Sequence, residues 1–184
     1  MHNINEFYNL LNISRISLIG YSFKDERLKD ELLSKIPHIK VSDIDSSFNL
    51  MSIIRDNKIE SLIGNKSLSF NFVVIDISDL KVSIKTKNNI LDQLSILQKS
   101  IQNIALQFYD YEYKLIITSP VNKSLDSNGD DNINYMGSNK PVYLSDVVFN
   151  LEGDKIRVIK NRHADFNDII SIGNLKENSY EYSK

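Results

Sequence analysis

Few residues in this chain could do chemistry, and most of them are acids, lysines and hydroxyls. Its 184 residues include no cysteine, which removes thiol catalysis, disulfide frameworks and cysteine-ligated zinc or iron–sulfur sites. The three histidines, His2, His38 and His163, lie far apart and show no ligand spacing, so no metal site is expected. A phosphate-cradling loop needs G-x-x-x-x-G-K-[ST], because backbone N–H groups hold the phosphates, the lysine reaches the terminal one and the hydroxyl holds Mg²⁺. None of the six glycines (20, 64, 129, 137, 153 and 173) is followed by Lys-Ser or Lys-Thr. Gly20, in LIGYSFKDERL, is the nearest candidate. Bulky Tyr21 and Phe23 follow it, and a phosphate there would meet Asp25 and Glu26 rather than bare N–H groups. Asp76 closes the apolar run NFVVID. Asp79 lies close by in sequence, but no third acid accompanies the two as a metal-dependent nuclease requires. No serine sits in a G-x-S-x-G elbow. The plainest role for Asp76 is a strand-end carboxylate capping a loop backbone.

The elements that position these residues alternate along the chain. Asn3 to Asn12 places Ile4, Phe7, Tyr8 and Leu11 at helical spacing. Ile13 to Phe23 is β-branched and apolar, as a strand requires. Lys24 to Lys35 reads as a charged amphipathic helix with Leu28, Leu32 and Leu33 on one face, stopped by Pro37. A short strand at His38 to Val41, a helix from Ser46 to Ile63 capped by Asp43 or Asp45, and a strand at Asn71 to Ile77 follow. The last is continuous and apolar, as expected of a central parallel strand covered on both faces. A long helix over Asn88 to Tyr109 leads to the buried strand Leu115 to Thr118. Residues 119–141 read as a polar loop. Val142 to Leu151 and Lys155 to Lys160 read as strands joined by a turn at Glu152–Asp154, and Ile169 to Ile172 as a last short strand. The expected fold is a layered α/β domain over 1–175, with a mainly parallel central sheet, helices on both faces and an antiparallel C-terminal hairpin. Residues 176–184 are expected to be a flexible tail.

Three segments in this order resemble the RecA-like ATPase core, in its RadA, replicative-helicase and recombinase-paralogue branch. FNFVVIDISDL, 70–80, is similar to a Walker B strand ending in Asp76. LIIT and the polar loop after it stand where that family carries a DNA-facing loop. The most specific is YLSDVVFNLEGDKIRVIKNRHAD, 143–165, which resembles the family's late hairpin: an apolar strand ending in Glu-Gly, then a strand ending in Lys-Asn-Arg. ISLIGYSFKDERLKDELL stands where the family's second core strand and following helix belong. The resemblance then implies that the first strand and its phosphate loop have been cut away. An exposed strand edge would remain as a docking surface.

The resemblance also defines what is missing. The family's catalytic carboxylate falls on Ser22 or Phe23; Asp25 or Glu26 would substitute only if the helix began a turn earlier. The polar sensor after LIIT falls near Ser119–Pro120. Asp76 is the surviving cis-acting group, and it lacks a phosphate loop to work with. Lys160 and Arg162 correspond to a pair that, in this family, reaches a neighbour's nucleotide and stabilises charge on its terminal phosphate, a role that needs no phosphate loop in its own chain. The alternative for both is a solvated basic strand end paired with Asp165 or Asp168. His163–Ala164 departs from the family's aromatic-glycine pair. In the 119–141 loop, Lys123, Tyr135, Met136 and Lys140 are the candidates for contact with DNA or a partner protein. The loop is net acidic and so suits protein at least as well as DNA.

Net charge is −2, with 41% apolar and 25% charged residues. That fits a soluble, cytoplasmic globular protein with no global field for DNA or membrane, encoded by an AT-rich genome such as a phage or low-GC bacterium. No signal peptide or span-length apolar run is present. The expectation is a non-catalytic RecA-fold accessory protein of DNA recombination, repair or replication, without cofactor, assembling with itself or with an active RecA-like ATPase. The alternative is a divergent ATPase that binds ATP and Mg²⁺ through a variant site, or through a composite site of Asp76 from one chain and Lys160 and Arg162 from the next. A Rossmann-like scaffold unrelated to DNA is the third reading.

Overall fold

The computed structural model of the protein describes residues 3–40, 72–79, 114–125, 131–135, 140–163 and 169–173. The helices expected over 46–63 and 88–109 and the tail from 176 lie outside these residues.

Helix α1 (Ile4–Ile13) starts where the Asn3 side chain accepts the Asn5 N–H at 3.0 Å, which satisfies one otherwise orphaned donor. Ile4, Phe7, Tyr8, Leu10 and Leu11 are buried along its inner face. β1 (Ile16–Tyr21) is buried at every position. One 3₁₀ turn (Phe23–Asp25) leads from it into α2 (Glu26–Leu33). β2 (His38–Lys40), β3 (Phe72–Asp76) and β4 (Lys114–Leu125) follow, with β3 running into a second 3₁₀ turn, Ile77–Asp79. Then come β5 (Asp131–Tyr135), the short helix α3 (Lys140–Leu144), β6 (Val147–Glu152), β7 (Lys155–Asn161) and β8 (Ile169–Ser171).

The sheet runs β2-β3-β4-β1-β6-β7-β8, with β5 attached to β4. Pairs up to β6 are parallel; β6–β7, β7–β8 and β4–β5 are antiparallel. This is the expected mainly parallel α/β sheet with an antiparallel C-terminal extension. Ile19, Tyr21, Phe72, Val74, Ile116 and Phe149 belong to one core cluster with residues of α1 and α2. Phe7 meets the Phe149 ring edge to face at 4.8 Å. Strand alternation turns Leu18, Val73, Ile117 and Val148 to the opposite face, and they too are buried.

Three expectations need correction. β1 is no edge strand: Ser17 to Gly20 pair with β4 on one side and β6 on the other. Among the described residues no gap marks a removed neighbour of β1, and no open edge is left there for docking. The polar stretch 119–141 is only partly a loop. β4 continues to Leu125 and pairs with β5 as a hairpin that runs past the end of β1, from Val121↔Tyr135 to Leu125↔Asp131. Finally, the stretch from Val142 is helical before it is extended; Pro141 sits in the first turn of α3, where a missing N–H costs nothing.

Candidate functional site

In open α/β sheets a ligand crevice forms at the carboxyl ends of the strands, where neighbouring connections leave in opposite directions. Here that point is β1, between β4 and β6. The order β1, turn, α2 is the strand–turn–helix order of a phosphate loop, so this segment occupies the nucleotide-binding place itself rather than that of a following strand.

The chain's own side chains fill that place. Asp76, at the end of β3, is 5% exposed. Its Oδ2 accepts the Lys29 ammonium at 2.7 Å. Its Oδ1 accepts the Ser78 hydroxyl at 2.7 Å and the Ser78 N–H at 3.0 Å. The Tyr21 hydroxyl, at 3.1 Å from both oxygens, shares its proton between them. The Lys29 ammonium also stands 4.3 Å from the centre of the Tyr21 ring, within cation–π range. Burial opposes the charge on Asp76, but the hydrogen bonds from Lys29 and Ser78 outweigh it and hold the carboxyl below its ordinary range. Burial likewise opposes the Lys29 ammonium, yet Asp76 holds its pKa above the ordinary value. Burial first, then the Asp76 charge, pushes the Tyr21 phenol up.

The turn after β1 is closed in the same manner. The Asp25 carboxylate accepts the Ser22 hydroxyl at 2.6 Å and the Gly153 N–H at 3.2 Å. Gly153 lies in the β6–β7 turn with φ 65°, a left-handed conformation that glycine adopts without steric cost. An N–H and a hydroxyl that could meet a phosphate thus meet a carboxylate of the same chain.

On the other face, Tyr135 of β5 is 7% exposed and donates its hydroxyl to Asn150 Oδ1 at 3.0 Å. Burial, partly offset by this bond, pushes its pKa up to about 12. Gly20 makes room for the contact: a Cβ there would come within 2.3 Å of Asn150 Oδ1 and 2.9 Å of the Tyr135 ring. Tyr135 is therefore no stacking platform, because its ring is packed inside. Lys123 pairs with Glu152 at 2.9 Å, and Arg157 grips the same carboxylate through two nitrogens. Met136 and the Lys140 side chain lie outside the described residues.

Lys160 and Arg162 are at the far end of the sheet. The antiparallel register pairs Lys160 with Val148 and Asn161 with Val147, at the start of β6. The Lys160 ammonium donates to the carbonyls of Val142 (2.7 Å) and Tyr143 (3.1 Å). Arg162 donates to the Tyr143 carbonyl at 2.8 Å and pairs with Asp146 at 3.4 Å. Both cations serve the carboxyl end of α3, where orphaned carbonyls and the helix dipole favour positive charge. The acid beside Arg162 is Asp146, while Asp165 and Asp168 lie outside the described residues. Asp146 also accepts the N–H groups of Arg15 (2.9 Å) and Ile16 (3.2 Å), joining the starts of β1 and β6 to the end of β7. His163 Nε2 lies 3.0 Å from Ser14 Oγ. The Ser14 proton already goes to the Leu10 carbonyl, so His163 is the donor.

A magnesium nucleotide does not fit these residues. Mg²⁺ at Asp76 would meet the Lys29 ammonium, and phosphate at the β1–α2 turn would meet the Asp25 carboxylate. Sequence reasoning missed Lys29. Its signal was present, since Lys29 stands three and four residues before Leu32 and Leu33, on the buried face of α2.

No protein-family model matches the sequence, and no curated protein matches it. Among solved structures, the chain is similar to the ATPase domain of a helicase: 12% identity, TM-score 0.55, covering 89% of this chain and 82% of that one. A KaiC-like protein from the hyperthermophilic archaeon Pyrococcus horikoshii OT3 is also matched, with 12% identity, TM-score 0.46, and 84% and 83% coverage. Among the described residues no helix is long and apolar enough to cross a membrane. The parallel order around β1 and the likeness to the helicase domain identify the chain's fold as a RecA-like α/β core.

Proposed function

We propose that this is a RecA-fold protein that performs no nucleotide chemistry of its own and works by association, with itself or with an active RecA-like ATPase, in DNA recombination, repair or replication. One observation carries the reading: both oxygens of Asp76 are taken by Lys29, Tyr21 and Ser78. A Walker-B-like acid acts through a hydrated metal, and this one already holds a lysine. The arrangement of Lys160 and Arg162 supports the second half of the reading. They stand at the opposite end of the sheet from Asp76, so any phosphate they touch belongs to another molecule. Arg162 keeps about half its side-chain surface in solvent (48%).

Calorimetry with Mg²⁺ and ATP, on protein whose mass has been fixed by sedimentation, tests this. The expected result is no heat of binding. Micromolar affinity, about −8 kcal/mol, overturns the reading and makes the chain a divergent ATPase.

A further inference from the structure

The oxygens around the Lys29 ammonium form a hard-cation set. Asp76 supplies a carboxylate, and Ser78 and Tyr21 supply hydroxyls that contact it. Thr118 adds a fourth oxygen. It pairs in register with Asp76 on the adjoining strand, which turns both side chains to one face. It is fully buried, and its hydroxyl has no hydrogen-bond partner. Buried hydroxyls are ordinarily paired, so an unsatisfied one beside a carboxylate marks room for a ligand that accepts oxygen lone pairs. Carboxylate and hydroxyl oxygens suit Mg²⁺, Ca²⁺ and Mn²⁺. Ser78 is exposed and gives the cluster a solvent edge.

We propose that Lys29 is a built-in cation: its ammonium holds the place of a divalent metal at Asp76 and closes an all-oxygen site formed by Asp76, Ser78, Tyr21 and Thr118. An ammonium presents three N–H donors to the oxygens that would otherwise coordinate metal. The charge balance at Asp76 is met without an ion from solution, and the ends of β1 and β3 are tied to α2 permanently. This deepens the reading of the site as non-catalytic and rests on it, but the two fail separately. ATP binding at a Mn²⁺-silent Asp76 overturns that reading and leaves this one standing.

The test is Mn²⁺ titration followed by electron paramagnetic resonance, in which bound ion loses the sharp signal of free Mn²⁺. The wild-type chain should leave the signal unchanged. Lys29→Met and Lys29→Gln, which remove the charge and keep most of the volume, should each take up Mn²⁺ with a Kd of about 10⁻⁴–10⁻³ M, as weak oxygen sites do. Asp76→Asn in either background should abolish uptake. Mn²⁺ uptake at Asp76 by the wild type overturns the proposal, and so does a folded Lys29 variant that takes up none. Acetylation of the wild-type chain, mapped by mass spectrometry, gives a check that needs no variant. Lys29 should stay unlabelled with or without Mn²⁺ while exposed Lys24 is modified; labelling of Lys29 to the extent of Lys24 also overturns it.

Discussion

Lys29 and Asp76, 47 residues apart, meet at 2.7 Å with only 3% of either side chain exposed. A pair this deep contributes little net stability when intact, but losing one partner leaves an uncompensated buried charge. Lys29→Met should therefore destabilise the chain by about 3–5 kcal/mol. Adding Asp76→Asn should recover part of that loss. Urea unfolding of the two single variants and the double variant closes the cycle, and a coupling energy near zero contradicts the geometry.

Gly20 is the tightest packed position beside the crevice. Gly20→Ala forces a methyl group against Asn150 and Tyr135, and overpacking of this kind costs about 1–3 kcal/mol. Tyr135→Phe tests the same contact from the other side. It leaves Asn150 Oδ1 without the Tyr135 donor, beside an Nδ2 that already lacks a partner. The expected cost is about 1–3 kcal/mol, read by urea unfolding.

Legibility in the sequence followed burial. Continuous apolar runs such as NFVVID and ISLIGY announced β3 and β1, and the 152–154 turn was marked by Gly153. Their order across the sheet was not legible, because β1 pairs with strands that begin at 114 and 147, and no local signal specifies a partner so distant. The β4–β5 hairpin was hidden because its residues are mainly polar; it extends past the sheet, where alternation against a core no longer applies. Lys29 was hidden because KDERLKDELL reads as a solvated face. One buried lysine among exposed charges shows only through its spacing to Leu32 and Leu33.

Stability should fall at both ends of the pH range. Asp76 and Glu152 titrate below their ordinary values when folded. Their contribution is full above those values and is lost as pH falls through the folded ones, so the acid limb should begin below about pH 4.5. Asp76→Asn should flatten it. Tyr21, Lys29 and Tyr135 titrate above their ordinary values. Their contribution is full below about pH 10 and is lost as pH rises, for Tyr135 through about 12. Lys114 and Lys160, whose pKa values burial lowers, act in the opposite sense. The Tyr135 share is isolated by comparing Tyr135→Phe with wild type: the variant should lose less stability between about pH 10 and 12.

At the other end of the sheet, Asp146 should matter more than Arg162. Asp146→Ala strips acceptors from two backbone N–H groups and a guanidinium, which should cost about 2 kcal/mol. Arg162→Ala removes a half-exposed pair and should cost about 1 kcal/mol or less. If Arg162 serves another molecule, its alanine variant should keep the wild-type melting temperature within a few degrees and lose the association seen by sedimentation.

The central placement of β1 also sets an order of events in time. This strand is among the first parts of the chain to leave the ribosome, and both strands that pair with it are made much later. At roughly 5–20 residues per second, the wait lasts on the order of ten seconds. Throughout it, a fully buried-type apolar strand has both edges open. The newborn chain therefore depends on shelter, from α1 folding back over it or from a chaperone, until β6 has emerged and the sheet can close.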